Sequence, residues 1–229
     1  PETVHHLIVS VLKISFKIPF LPYLVKKAFT ISDKSLECEV AGIKFPNPVG
    51  LAAGFDKNAS FYNEFSAFGF GFIEVGTVTP LPQPGNEKPR LFRLPNDSAL
   101  VNRMGFKNFG AEALHHKISK SFPKSNRIVP LGVNLGKGKH TAIEDALIDY
   151  CKGFDVLAAD ADYITINISS PNTPNLRKLQ ERERLEELLR GLQKSNEFNT
   201  PLVVKIAPDL SLEQLDDVLA CCQDCDVSA

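Results

Sequence analysis

A run of hydroxyls and amides, Ser169-Ser170-Pro171-Asn172-Thr173-Pro174-Asn175, follows directly on the apolar stretch Tyr163-Ile-Thr-Ile-Asn167. Its two prolines fix φ at two positions, so the polar groups are held in place. Four other apolar stretches run out into groups of the same kind: Gly54 with Lys57, Thr77, Asn134, and Lys205. Amides and hydroxyls both donate and accept, and so can read the edges of a flat heterocycle. A lysine supplies positive charge where a ring system takes up electrons. That inventory suits a flavin or a pyrimidine-like ligand. It lacks the His/Cys/carboxylate cluster that a metal needs, and no histidine stands near Ser169 or Ser170 to build a Ser-His-Asp hydrolase. Taken alone, residues 169–175 read equally as an ordinary polar turn and as a ligand site.

What decides between the two is whether the elements bring the other groups to the same place. Residues 48–53, 69–75, 128–133, 163–166 and 202–204 are strand-length runs rich in β-branched and apolar residues. Helical patterns at 59–68, 111–120, 142–157, 181–193 and 212–222 alternate with them. Such a βα rhythm predicts an α/β fold with a parallel sheet. Two architectures fit: a doubly wound open sheet, or a (β/α)8 TIM barrel represented by about its first five βα units. In a barrel all strand ends share one mouth, whereas an open sheet spreads them along an edge. No G-x-G-x-x-G follows the first strand and no P-loop is present, which favours the barrel. A small hairpin at 36–40 and 43–45, turning at Ala41-Gly42, precedes it. Residues 78–106 form a long insertion rich in Pro and Gly that carries Arg90, Arg93, Asn102 and Arg103.

The first thirty residues differ in character. Pro1 suits a first helical turn, and Val4, Leu7, Ile8 and Val11 recur at helical spacing. Residues 20–29 form a second amphipathic segment with Lys26 and Lys27. Lys13 and Lys17 interrupt the apolar stretch and Pro19 and Pro22 break it, so it cannot span a bilayer. The two helices either lie in a membrane interface or cap the core. Residues 1–32 are thus expected as an N-terminal helical segment and 33–229 as the barrel domain.

Composition excludes some classes. With 26 Lys+Arg against 27 Asp+Glu, there is no basic excess to recruit nucleic acid. The 43% hydrophobic content of 229 residues suffices for one large core. Five unevenly spaced cysteines, without a recognisable signal peptide, point to a reducing compartment. Cys222 and Cys225 form a C-x-x-C, but it lies in a helical pattern with no second pair nearby, which gives it little weight as a metal or redox motif.

Seven motifs, in order, carry a family resemblance: Asn47-Pro-Val-Gly-Leu-Ala-Ala-Gly-Phe-Asp-Lys57, Gly76-Thr-Val-Thr-Pro80, Pro84-Gly-Asn-Glu-Lys-Pro-Arg-Leu-Phe-Arg-Leu94, Asn102-Arg-Met-Gly-Phe106, Gly132-Val-Asn-Leu-Gly-Lys137, Asn167-Ile-Ser-Ser-Pro-Asn-Thr173 and Val204-Lys-Ile-Ala-Pro-Asp209. Together they resemble the class 2 dihydroorotate dehydrogenases, the membrane-associated, quinone-reducing branch. The resemblance implies a (β/α)8 barrel that holds FMN and oxidises (S)-dihydroorotate to orotate in pyrimidine biosynthesis. It implies Ala53, Gly54, Thr77, Asn134, Asn167 and Lys205 as flavin contacts. Lys57, Asn102, Arg103, Met104, Gly105, Phe106, Asn167, Asn172 and Thr173 are implied as substrate contacts, and Ser170 as the catalytic base. Class 1 relatives use cysteine there, so Ser170 itself speaks for class 2. The N-terminal helices would form a quinone tunnel on the membrane, with His5 and Arg93 among its polar residues. The implied location is peripheral, on the cytoplasmic face of a bacterial inner membrane or on the mitochondrial inner membrane. His6, His115, His116 and His140 are expected as surface or satisfied histidines.

Length is the main departure. The family's barrel continues through three more strands, which carry the phosphate-binding loops and further substrate contacts, and the family's first short helix is not seen before Pro1. The sequence is therefore expected to be part of a longer enzyme. The alternatives are a non-catalytic half-barrel that serves as a binding or folding module, and another FMN barrel acting on pyrimidines.

Overall fold

The computed structural model describes residues 2–229, so the expected role of Pro1 at a first helical turn lies outside the described residues. Five parallel strands form the central sheet: β3 (Gly50–Leu51), β4 (Phe72–Val78), β7 (Leu131–Leu135), β8 (Tyr163–Asn167) and β9 (Leu202–Lys205). Their spatial order is their chain order, with no reversal. A doubly wound sheet reverses at a switch point, so this order selects the barrel-like alternative. Helices α4 (Ala111–Ser121), α5 (Ala146–Leu157), α6 (Arg182–Lys194) and α7 (Leu212–Asp224) follow β4, β7, β8 and β9 on the outside.

Alternation along the strands sorts the side chains. Ile73, Val75, Leu131, Val133, Ile164, Ile166 and Leu202 are buried and belong to one core with Leu114, Ile118, Tyr150, Phe154, Leu185, Leu189 and Leu192 of the helices. The opposite face of β4, β7 and β8 carries Glu74, Asn134, Tyr163, Thr165 and Asn167, which pair or neighbour one another in the register. That is the inner face, and it is polar.

Several element bounds differ from expectation for local reasons. The helix expected at 59–68 shrinks to α3 (Tyr62–Phe65) and a 3-10 turn (Ser66–Phe68). Its first residues are captured by Asp56, whose carboxylate accepts from Ser60 N at 2.8 Å and Phe61 N at 2.7 Å. The third strand begins at Leu131 rather than 128, because Val129 bonds to the Tyr62 hydroxyl and Pro130 has no N–H to give. The insertion at 78–106 contains an antiparallel hairpin that its Pro/Gly content concealed, β5 (Leu91–Leu94) with β6 (Ala99–Asn102). The expected hairpin appears as β1 (Cys38–Val40) and β2 (Ile43–Phe45). At the far edge, Ser228 N donates to Leu202 O at 3.0 Å and Val204 N donates to Ala229 O at 2.8 Å, so the last residues lie along β9.

α1 (Glu2–Ser15) and α2 (Leu21–Phe29) sit on a platform of phenylalanines from 55–68. His5 meets the Phe55 ring at 4.8 Å, Phe16 and Phe29 meet Phe68 at 6.2 and 5.2 Å, and Lys13 lies 5.7 Å from the Phe61 ring. Among the described side chains of α1 the buried one is Val9, while Val4, Leu7, Ile8 and Val11 are 55–64% exposed. The stripe read from the sequence therefore faces away from the core. Among the described residues no helix is long and apolar enough to cross a membrane.

Candidate active site

The polar strand ends meet. Asn134 on β7 is fully buried, and its Oδ1 accepts from Thr77 Oγ1 of β4 at 2.5 Å and from Asn167 Nδ2 of β8 at 3.0 Å. Asn167 Nδ2 also donates to Thr77 Oγ1 at 2.9 Å. Simple alternation would send Thr77 to the outer face, beside Val75. A register shift between Gly76 and Val78 opposes two residues of β4 to one of β7 and turns Thr77 inward. The shift depends on Gly76, whose φ is +107° and where a Cβ would fall 2.5 Å from Asn134 O.

The first loop joins the cluster through its backbone, since Gly54 N donates to Gly76 O at 2.8 Å and Gly76 N to Asp56 O at 3.4 Å. A Cβ placed on Gly54 would meet nothing within 4 Å, so open space lies beside it. Ala53 and Lys57, both half-buried, flank this turn. Lys205 is paired with Asn167 in the β8–β9 register and is exposed at the sheet edge.

From Asn167 the chain passes into the hydroxyl loop. Asn167 Oδ1 accepts from Ser169 N at 3.1 Å and Ser169 Oγ at 2.9 Å, which fixes how the loop leaves the strand. Tyr150 of α5 donates to Asn167 O at 2.7 Å from the other side. Next in the chain, Ser170 Oγ accepts from the backbone N–H of Asn172 at 3.2 Å. A donor aimed at a hydroxyl oxygen stabilises negative charge on it, which is what a serine needs to take a proton. Thr173, in the same loop, is buried.

The insertion covers this loop. Asn172 Nδ2 donates to Asn102 Oδ1 at 3.3 Å, and Asn86 Nδ2 donates to Asn172 O at 3.2 Å. In the β5–β6 register Leu91 pairs with Asn102 and Arg93 with Leu100, so Arg93 shares the hairpin face of Asn102. Arg103 takes the opposite side. Its guanidinium lies 5.8 Å from the Phe92 ring and its Nε donates to Pro89 O at 3.0 Å, so the structure does not gather it with Asn102 and Asn172. Met104 N reaches Asn102 Oδ1 only at 3.5 Å, and Gly105 makes its turn at φ +66° against Asn86. Phe106 is buried, and a Cβ on Gly136 would strike its ring and the methyl of Thr77.

Sequence reasoning missed four participants: Glu74, Asn86, Tyr150 and Ser169 as an orienting group. For Glu74 the signal was present, a lone carboxylate at an alternate position of an otherwise apolar strand. Asn86 had none beyond its place in a shared motif. His115 pairs with Asp160 at 2.6 Å and His6, His116 and His140 are exposed, in line with their expected roles. All five cysteines are free thiols, and burial is the first cause raising those of Cys151, Cys221 and Cys222.

A buried set of amides and a hydroxyl beside open space at Gly54 fits the edge of a planar heterocycle, so the residues present fit a flavin. Among the described residues no group of three or more His, Cys, Asp or Glu is placed to hold a metal.

Comparison with known proteins gives one answer throughout. Residues 35–228 match the family model described as "Dihydroorotate dehydrogenase". A protein of Christiangramia forsetii named "Dihydroorotate dehydrogenase (quinone)" is 52% identical over 227 residues, 98% of this chain and 65% of that protein. One of the same name from Thermosynechococcus vestitus is 53% identical over 191 residues, covering 83% of this chain and 52% of its own length. Among solved structures, DHODH from Eimeria tenella in complex with ferulenol superposes with a TM-score of 0.82 at 36% identity, covering 99% of this chain and 64% of that one. The chain thus spans about half to two thirds of the length of the relatives it matches.

Proposed function

The chain belongs to the dihydroorotate dehydrogenase family, and from that footing we propose that it oxidises (S)-dihydroorotate to orotate with FMN as hydride acceptor and a quinone as final oxidant. The observation that carries the reading is the convergence of Thr77, Asn134 and Asn167, from three neighbouring strands, in one hydrogen-bonded cluster leading directly to Ser170. Ala53, Gly54, Thr77, Asn134, Asn167 and Lys205 hold the flavin, which when bound supplies the acceptor for the hydride from C6 of the substrate. Lys205 would supply positive charge to offset the negative charge that a reduced flavin carries. Lys57, Asn102, Asn172 and Thr173 grip the substrate's carboxylate and ring amides and so fix its orientation. Ser170 Oγ takes the C5 proton as its own hydroxyl proton passes onward through Thr173 or water, and the Asn172 N–H stabilises the alkoxide character that Oγ needs before it accepts that proton. Arg103 has the weakest support among the substrate contacts, because its charge is already spent on the Phe92 ring and Pro89 O.

The finer architecture follows the same reading: a (β/α)8 barrel of which 33–229 supplies five βα units, with 1–32 as a membrane-facing segment. Support for the latter comes from the outward apolar stripe of α1 and from His5, which packs on Phe55 beside the Gly54 turn. Arg93 shares the hairpin face of Asn102, and the reading keeps it with His5 among the polar residues of the quinone path. Peripheral attachment to the cytoplasmic face of a bacterial inner membrane, or to the mitochondrial inner membrane, fits that stripe.

The test is spectroscopic. Purified protein carrying this chain should bleach at its flavin bands on anaerobic addition of dihydroorotate and regain colour with a soluble quinone but not with NAD. Recovery with NAD would contradict the assignment, and so would a flavin that dihydroorotate leaves oxidised.

A further inference from the structure

Glu74 stands inside the sheet with no role in the chemistry above, yet it is the root of the polar cluster. Its Oε1 accepts from Asn134 Nδ2 at 2.8 Å, and its Oε2 accepts from Thr165 Oγ1 at 3.0 Å and Tyr163 Oη at 3.2 Å. The carboxylate is thus pinned by two hydroxyls on one oxygen and aims the other at Asn134. An asparagine amide has a donor end and an acceptor end of nearly equal shape, and its surroundings decide which points where. Were Asn134 turned over, its Nδ2 would confront Asn167 Nδ2, donor against donor, and its Oδ1 would confront Glu74 Oε1, acceptor against acceptor. Glu74 removes that alternative.

We propose that Glu74 is a positioning residue that sets the donor and acceptor polarity of the whole strand-end cluster. With Asn134 Oδ1 committed upward, Thr77 Oγ1 donates to it and Asn167 Nδ2 bridges both. Asn167 Oδ1 is then left to receive Ser169 N and Ser169 Oγ, one residue before Ser170. Polarity chosen at Glu74 therefore propagates through Asn134 and Asn167 into the loop that carries the base. Burial first, and then the charge and hydrogen bond of Glu74, push the Tyr163 phenol well above its ordinary range, which keeps it a donor to the carboxylate. What Glu74 contributes to Asn134 is an acceptor, not net charge. A glutamine can keep Oε1 toward Asn134 and turn Nε2 to the two hydroxyls, which can rotate to accept.

The consequence for ligands rests on the flavin reading of this cluster, so the test has one arm that needs no flavin. In ligand-free protein, the side-chain amide signals of Asn134 and Asn167 should be nearly unchanged in Glu74→Gln and displaced or exchange-broadened in Glu74→Leu, with backbone spectra reporting the fold. In the second arm, FMN affinity should fall about ten- to a hundredfold in Glu74→Leu and stay within about threefold of wild type in Glu74→Gln. If Glu74→Leu does not fold, Glu74→Gln alone decides: loss of FMN affinity there shows that charge is required and overturns the proposal. Unaltered Asn134 signals in Glu74→Leu also overturn it. Asn134→Ala separates the two readings. If it loses FMN while Glu74→Leu keeps it, the Glu74 proposal fails; if neither loses FMN, the flavin reading of the cluster fails.

Discussion

Single residues divide here into those proposed to face the ligand and those that hold them in place. Ser170 receives the Asn172 N–H because the loop backbone folds back on the side chain within two residues. No spacing rule in the sequence shows that contact, although the density of hydroxyls and amides marked the loop. Arg103 presents the opposite case: it lies within the same motif as Asn102, and strand alternation turns it to the far side of the hairpin. Tyr150 belongs to the holding group. It is buried, bonds to Asn167 O at 2.7 Å and lies in the core packed by α5. Tyr150→Phe should lower stability by about 1–2 kcal/mol, the usual loss for one buried hydroxyl bond, in a denaturant titration. No loss would mean that Asn167 O is satisfied in some other way.

At the scale of elements, the βα rhythm was legible because strand runs and helical patterns alternate without long gaps. Fine placement was not. β4 extends to Val78 and carries a register shift, and that shift alone brings Thr77 inward. Its cause is tertiary, the close approach of Gly76 to Asn134, and neighbouring residue types do not reveal it. The β5–β6 hairpin was hidden for a related reason: its strands are exposed on both faces, so the apolar alternation that reveals a strand is weak. α1 shows a different limit. Periodicity identified an apolar stripe correctly, but it could not say that Val9 and the phenylalanine platform, rather than that stripe, form the packed side. Two variants separate these faces. Val9→Ala should cost about 2 kcal/mol through the cavity it leaves, read by thermal unfolding. Replacing Val4, Leu7 and Ile8 together by Ser should leave the unfolding temperature nearly unchanged and reduce co-sedimentation with anionic lipid vesicles several-fold. Equal vesicle binding by this triple variant would remove the stripe from membrane contact.

The molecule is built on a central run of parallel strands whose inner face is polar from Glu74 to Asn167 and whose outer face packs into the hydrophobic core. Order without reversal is what makes five strand ends neighbours and lets side chains from β4, β7 and β8 share one hydrogen-bonded cluster. The central claim is that this cluster and its loop form the site where dihydroorotate gives up its C5 proton to Ser170. The most direct measurement is rapid mixing of dihydroorotate with oxidised protein under anaerobic conditions, following flavin absorbance, in wild type and in Ser170→Ala. The variant should reduce its flavin about a hundred- to ten-thousandfold more slowly while orotate still perturbs the flavin spectrum with near-normal affinity. Reduction at the wild-type rate in Ser170→Ala would contradict the account.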